Sequence, residues 1–132
     1  MIVVDTSALI AILEQEPEAE RYIALIRDSP RRLVSAVNVY ETGIVIGARR
    51  GFDSAAELVP FLEELGIEIV PFAEPHISAA LAAYARFGKG IDPKAKLNLG
   101  DCAAYALAKA LKAPLLYKGV DFSATDLVGV DP

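Results

Sequence analysis

A chain of 132 residues, 54% hydrophobic and 23% charged, carries enough apolar material for one packed domain and nothing of the composition of a disordered segment. Its net charge of −5 counts against binding nucleic acid through a broad basic face, but not against a nuclease whose acidic cleft is reversed in sign by bound divalent ions. The single cysteine, Cys102, has no internal disulfide partner, no stretch reaches the roughly 18 apolar residues of a membrane span, and Asp5 interrupts the first apolar run, so a reducing cytoplasm is the expected compartment.

In chain order, Ile2 to Val4 is a β-branched run that reads as a buried strand, followed by a helix through Leu9, Ile10, Ile12 and Leu13. Pro17 is expected to open a second helix that Ser29 and Pro30 end. Leu33 to Ala36 reads as strand two, with Asn38 capping the helix that stops near Gly51. Asp53 is expected to cap a helix carrying Leu58, Phe61, Leu62 and Leu65, bent by Pro60. Ile67 to Val70 is strand three, and a helix runs from Pro75 to about Phe87. Residues 88–100 read as a mobile loop, and Asp101 as the start of an alanine-rich helix ending near Lys112. Leu115 to Tyr117 is strand four, and residues 127–130 are expected to add an edge strand.

Strands alternating with helices predict an α/β domain over residues 1–132: a parallel sheet of four to five strands with helices on both faces. In such sheets ligands bind beyond the carboxyl ends of the strands. Asp5, Glu41, Asp101 and Asp121 all fall at strand ends or helix starts that this topology gathers at one edge. Carboxylates crowded together resist ionising unless a cation sits among them, so the pattern points to a divalent metal site. Each acid also has a plainer role. Asp5 and Asp101 complement helix starts, Glu41 closes a capping box with Asn38, and Asp121 suits a turn.

Other candidates carry less. His76 reads as a surface residue at a helix start and Cys102 as a packing residue. Thr6 and Ser7 fit a helix cap, or a contact to a metal water or a phosphate oxygen. The tyrosines fall on apolar faces. Lys94 and Lys96, with Arg49, are candidate grips for a nucleic-acid backbone, against the plain reading of solvated surface charge.

The segments IVVDTSALIAIL, LVSAVNVYE, LNLGDCAAYALAKALKAPLLYKG and DFSATDL together resemble the PIN domain, and specifically the VapC-type toxins of toxin–antitoxin pairs, over nearly the whole chain. The resemblance implies that Asp5, Glu41, Asp101 and Asp121 bind Mg²⁺ or Mn²⁺ for RNA hydrolysis, with Asp126 as an outer neighbour. It also implies a homodimer and a VapB-type antitoxin. Two positions depart from the family pattern: Val120 stands where many relatives have a polar residue, and Asp92 where many have histidine. Competing expectations are a catalytically inactive PIN scaffold, a receiver-like Mg²⁺-binding signalling domain with Lys118 as its lysine, and a phosphatase using Asp5. The phosphatase reading lacks a second acid two residues on, where Ser7 stands.

Overall fold

Runs of β-branched and leucine residues too short for helices, buried on both sides, are the material of a parallel sheet. The computed structural model, which describes residues 1–130, forms one from β1 (Ile2–Val4), β2 (Arg32–Ser35), β3 (Ile67–Val70) and β4 (Leu115–Leu116). The strand order is β3-β2-β1-β4 and every pairing is parallel, with Val3 opposite both Leu33 and Leu115. The last two residues of the expected 1–132 domain lie outside the described residues. The expected fifth strand is reduced to a single bridge between Leu115 and Gly129.

Alternation along each strand divides the core in two. Ile2, Val4, Val34, Ile67 and Leu116 face one layer with α1 (Thr6–Leu13), α2 (Ala19–Asp28) and α5 (Leu58–Glu64). Val3, Leu33 and Leu115 face the other, with α6 (Glu74–Phe87) and α7 (Leu99–Leu111). The remaining helices are α3 (Ala36–Arg50), the single turn α4 (Phe52–Ala55) and a 3-10 turn at Asp121–Ala124. Among the described residues, no helix is long and apolar enough to cross a membrane.

Several expected boundaries move for physical reasons. Ser35, not Asn38, caps α3: its hydroxyl accepts from the Val37 N–H, because β2 pairing runs to Ser35 opposite Val70 and leaves the cap there. The Asp53 helix is two pieces, and Pro60 sits in the first turn of α5, where its missing N–H costs nothing. Pro17 precedes α2, which begins at Ala19. Residues 88–98 are tethered rather than loose: Gly88 bridges Leu97, the Lys89 N–H donates to the Leu97 carbonyl, and Ala95 and Leu97 are buried. Asp92 adds a turn, accepting from the N–H groups of Lys94 and Ala95.

The chain order places β2 and β3 on one side of β1 and β4 on the other. The direction of winding therefore reverses between β1 and β4, the switch point beyond whose carboxyl ends open α/β sheets bind ligands. The ladder carries on past β1, with the Asp5 N–H donating to the Leu116 carbonyl at 2.9 Å, so Asp5 stands at that switch point.

Candidate metal centre

Asp5 caps α1. Its Oδ2 accepts from the Ser7 N–H at 3.0 Å and from the Ser7 hydroxyl at 2.7 Å. Its Oδ1 is buried with no hydrogen-bond partner. Burial is the main reason its carboxyl is pushed up to about 7; the Ser7 hydroxyl opposes the shift, and the charges of Asp101 and Glu41 add to it. Ser7 is itself held, accepting from the Lys118 N–H at 2.9 Å, which ties the turn after β4 to the start of α1.

Asp101 lies in the first turn of α7, capped by Asn98 rather than by itself. The Asn98 side chain accepts from the Asp101 N–H at 2.8 Å, and Asp101 Oδ2 accepts from the Asn98 N–H at 2.9 Å. Burial pushes this carboxyl up to about 6, against the Asn98 N–H and with the charges of Glu41 and Asp121. Glu41 is the sixth residue of α3, so its expected capping box with Asn38 does not form. Its carboxylate lies against Gly100 instead, and a Cβ built there would come within 2.5 Å of the Glu41 Cδ and Oε2. Asp121 opens the 3-10 turn behind the exposed Val120 and acts on Asp101 by charge.

The four acids are thus linked in a chain of mutual repulsion, Asp121 to Asp101 to both Glu41 and Asp5. Among the described residues none of them is ion-paired to a basic side chain. Lys118 turns away to Glu16 and Glu18, and Arg49 and Arg50 go to Glu14. As the side chains stand, no three His, Cys, Asp or Glu among the described residues are close enough together to hold a metal ion. The buried, unpartnered Asp5 Oδ1 fits a hard divalent cation that takes oxygen donors and keeps several waters.

Other expected site residues fall elsewhere. Asp126 is drawn off by the Tyr105 hydroxyl, which donates to it at 2.5 Å, and by Lys109 at 3.0 Å. Those contacts hold its carboxyl below the usual range, and its hydrogen bonds go to Tyr105 and Lys109 rather than to the four acids. Thr6 is buried, its hydroxyl engaged with Asn38. Lys94 and Lys96 are exposed on the 88–98 segment. His76 accepts from the Ala73 N–H at the start of α6, and Cys102 is buried. Burial, then the Asp101 charge, pushes the Cys102 thiol up to about 11, so it stays protonated. Sequence reasoning missed Asn38 as a buried tie and Asn98 as a cap. The second had a readable signal, an Asn followed three residues later by an acid.

Residues 2–127 match the PIN domain family model. The chain is 43% identical over 129 residues to ribonuclease VapC30 of Mycobacterium tuberculosis, covering 98% of each, and 43% identical over 129 residues to ribonuclease VapC of Mycolicibacterium smegmatis, covering 98% of this chain and 99% of that one. Among solved structures it resembles VapC20 of Mycobacterium tuberculosis, described as a sarcin-ricin loop cleaving toxin, with a TM-score of 0.79 at 18% identity over 100% of both chains. It also resembles VapBC2 of Rickettsia felis bound to a fragment of promoter DNA, with a TM-score of 0.73 at 16% identity, covering 99% and 98% of the two chains. A parallel sheet with acids gathered at its carboxyl edge, matched to these relatives along nearly its whole length, makes this chain a PIN-domain protein of the VapC ribonuclease family.

Proposed function

We propose that this protein is a metal-dependent endoribonuclease that hydrolyses RNA phosphodiester bonds and serves as the toxin of a toxin–antitoxin pair, with Mg²⁺ as its ion and Mn²⁺ as a substitute. The observation that carries the reading is the set of four mutually repelling carboxylates, drawn from remote segments, with Asp5 Oδ1 buried and unpartnered. Asp5 and Asp101 would hold the ion, with Glu41 and Asp121 completing the shell or orienting the attacking water. When bound, a divalent ion supplies an acidified water and offsets charge on the phosphate oxygens. The chain's own residues do the remaining work. Ser7 fixes the orientation of Asp5, Asn98 fixes Asp101, and the exposed Lys94 and Lys96 meet the RNA backbone.

The partners follow from the same family. A VapB-type antitoxin is supported by the solved neighbours, which include a toxin–antitoxin complex from Klebsiella pneumoniae. A homodimer is supported by an apolar groove of about 500 Å³ between α6 and the start of α7, lined by Ile77, Leu81, Tyr84 and Leu99.

Purified protein incubated with a panel of structured RNAs and Mg²⁺ tests the activity, with chelator and Asp101→Asn as controls. Cleavage should appear in the wild type and fall about a hundredfold or more in the variant. No cleavage across the panel, or equal cleavage by the variant, would sink the reading and leave an inactive scaffold in its place.

A further inference from the structure

Asn38 is fully buried near the start of α3, where asparagine is a poor helix former and a polar side chain is costly unless bonded. It spends its donors outside its own helix. Nδ2 donates to Thr6 Oγ1 at 3.0 Å and to the Gly100 carbonyl at 3.0 Å, reaching 32 and 62 residues along the chain. Thr6 follows Asp5 directly, Gly100 precedes Asp101 directly, and Glu41 lies one turn beyond Asn38 on α3. A single amide therefore touches each element that carries one of these three acids. Among the described residues, no other side chain hydrogen-bonds to both of the segments that open α1 and α7. Those two starts have reason to separate, since the carboxylates of Asp5 and Asp101 repel.

We infer that Asn38 is a positioning residue that sets the spacing of the acid centre, its amide holding the first turns of α1 and α7 at the distance from α3 that lets Asp5, Glu41 and Asp101 share one cation. The cation half of the inference rests on the proposed metal centre; the clamp itself does not. Asn38→Leu keeps the branching at Cγ with bulkier ends and removes both donors, so the side-chain tie from α3 to Thr6 Oγ1 and to the Gly100 carbonyl is lost. Asn38→Thr keeps one donor. Thr42→Val is the control, because Thr42 is equally buried and bonds to the Asn38 carbonyl but reaches neither α1 nor α7.

Amide hydrogen exchange on the metal-free proteins tests the clamp. Both Asn38 variants should speed exchange about tenfold at residues 7–9 and 101–103, with α2 unchanged and Thr42→Val moving neither segment. Exchange at the wild-type rate in those segments, or equal acceleration in α2, overturns the inference. If Asn38→Leu does not fold, Asn38→Thr carries the comparison. Failure of both to fold while Thr42→Val folds would make Asn38 a core residue only and overturn it as well. Mn²⁺ titration of the same proteins reads the second half: affinity should weaken about tenfold in Asn38→Leu and stay at the wild-type value in Thr42→Val. Unchanged affinity in Asn38→Leu rejects the link to the centre. A wild type that binds no Mn²⁺ rejects the metal reading instead, while the exchange result still judges the clamp.

Discussion

The Glu41 carboxylate rests on the bare backbone of Gly100, with its Cδ and Oε2 within 2.5 Å of where a Cβ would stand. Glycine is required here for room. A methyl group would push away the far end of a flexible side chain, which can swing out with little disturbance to α3 or α7. Gly100→Ala should therefore fold and melt within about 3 °C of the wild type, yet cleave RNA about tenfold more slowly and bind Mn²⁺ more weakly. Calorimetry and a cleavage assay on the same sample separate the two effects; a large stability loss with full activity would contradict this account of Gly100.

Without metal, the acid centre should make the protein less stable as the solution becomes more alkaline. Burial raises Asp5 from 3.8 to about 7 and Asp101 from 3.8 to about 6, so between pH 4 and 7 the folded state holds protons that the unfolded chain has released. Stability therefore falls as pH rises through that window. Glu14, Asp92 and Asp126 are shifted the other way and lose their contribution only in more acidic solution, as pH falls through their lowered values. Metal-free protein should melt about 5 °C higher at pH 5.5 than at pH 7.5. Asp5→Asn should flatten that profile and abolish most of the gain in melting temperature that Mg²⁺ gives the wild type at pH 7.5. A profile just as steep in Asp5→Asn would remove Asp5 as its cause.

Tyr105 and Asp126 form a separate unit on α7 and the segment after the 3-10 turn. Burial, and next the Asp126 carboxylate it donates to, push the Tyr105 phenol up to about 12, which a spectrophotometric titration can read. Tyr105→Phe should cost about 1 kcal/mol of stability. Asp126→Asn should keep RNA cleavage within about twofold of the wild type, since its partners are Tyr105, Lys109 and Arg86. A hundredfold loss in Asp126→Asn would return that carboxylate to the acid centre.

The sheet was legible in the chain because its signal is local: Ile2 to Val4 is a short apolar run that forms a fully buried strand, and Ile67 to Val70 is a run rich in β-branched residues that forms a half-exposed edge strand. That the four acids come near one another was legible because a parallel sheet sends strand ends and the helix starts that follow them to one edge. Caps were not, since Ser35 and Asn38 are equally good candidates by residue type. The choice between them is made by pairing with Val70 and by contacts to Thr6 and Gly100 that no window of sequence contains. Likewise nothing local to Asp126 announces Tyr105, 21 residues earlier, as its partner. The 88–98 segment misled for a related reason: its glycines, proline and lysines read as a free loop, while the Gly88 bridge to Leu97 ties its ends.

β1 is an interior strand flanked by β2 and β4, although it is the first of the four in the chain. During synthesis, one edge of the amino-terminal strand stays open until the residues near position 116 have left the ribosome. Asp5 then awaits both the Leu116 carbonyl that fixes its backbone and the Lys118 amide that fixes Ser7. Until residues 116–118 are in place, the first helix start therefore lacks both of the backbone ties that orient its acid.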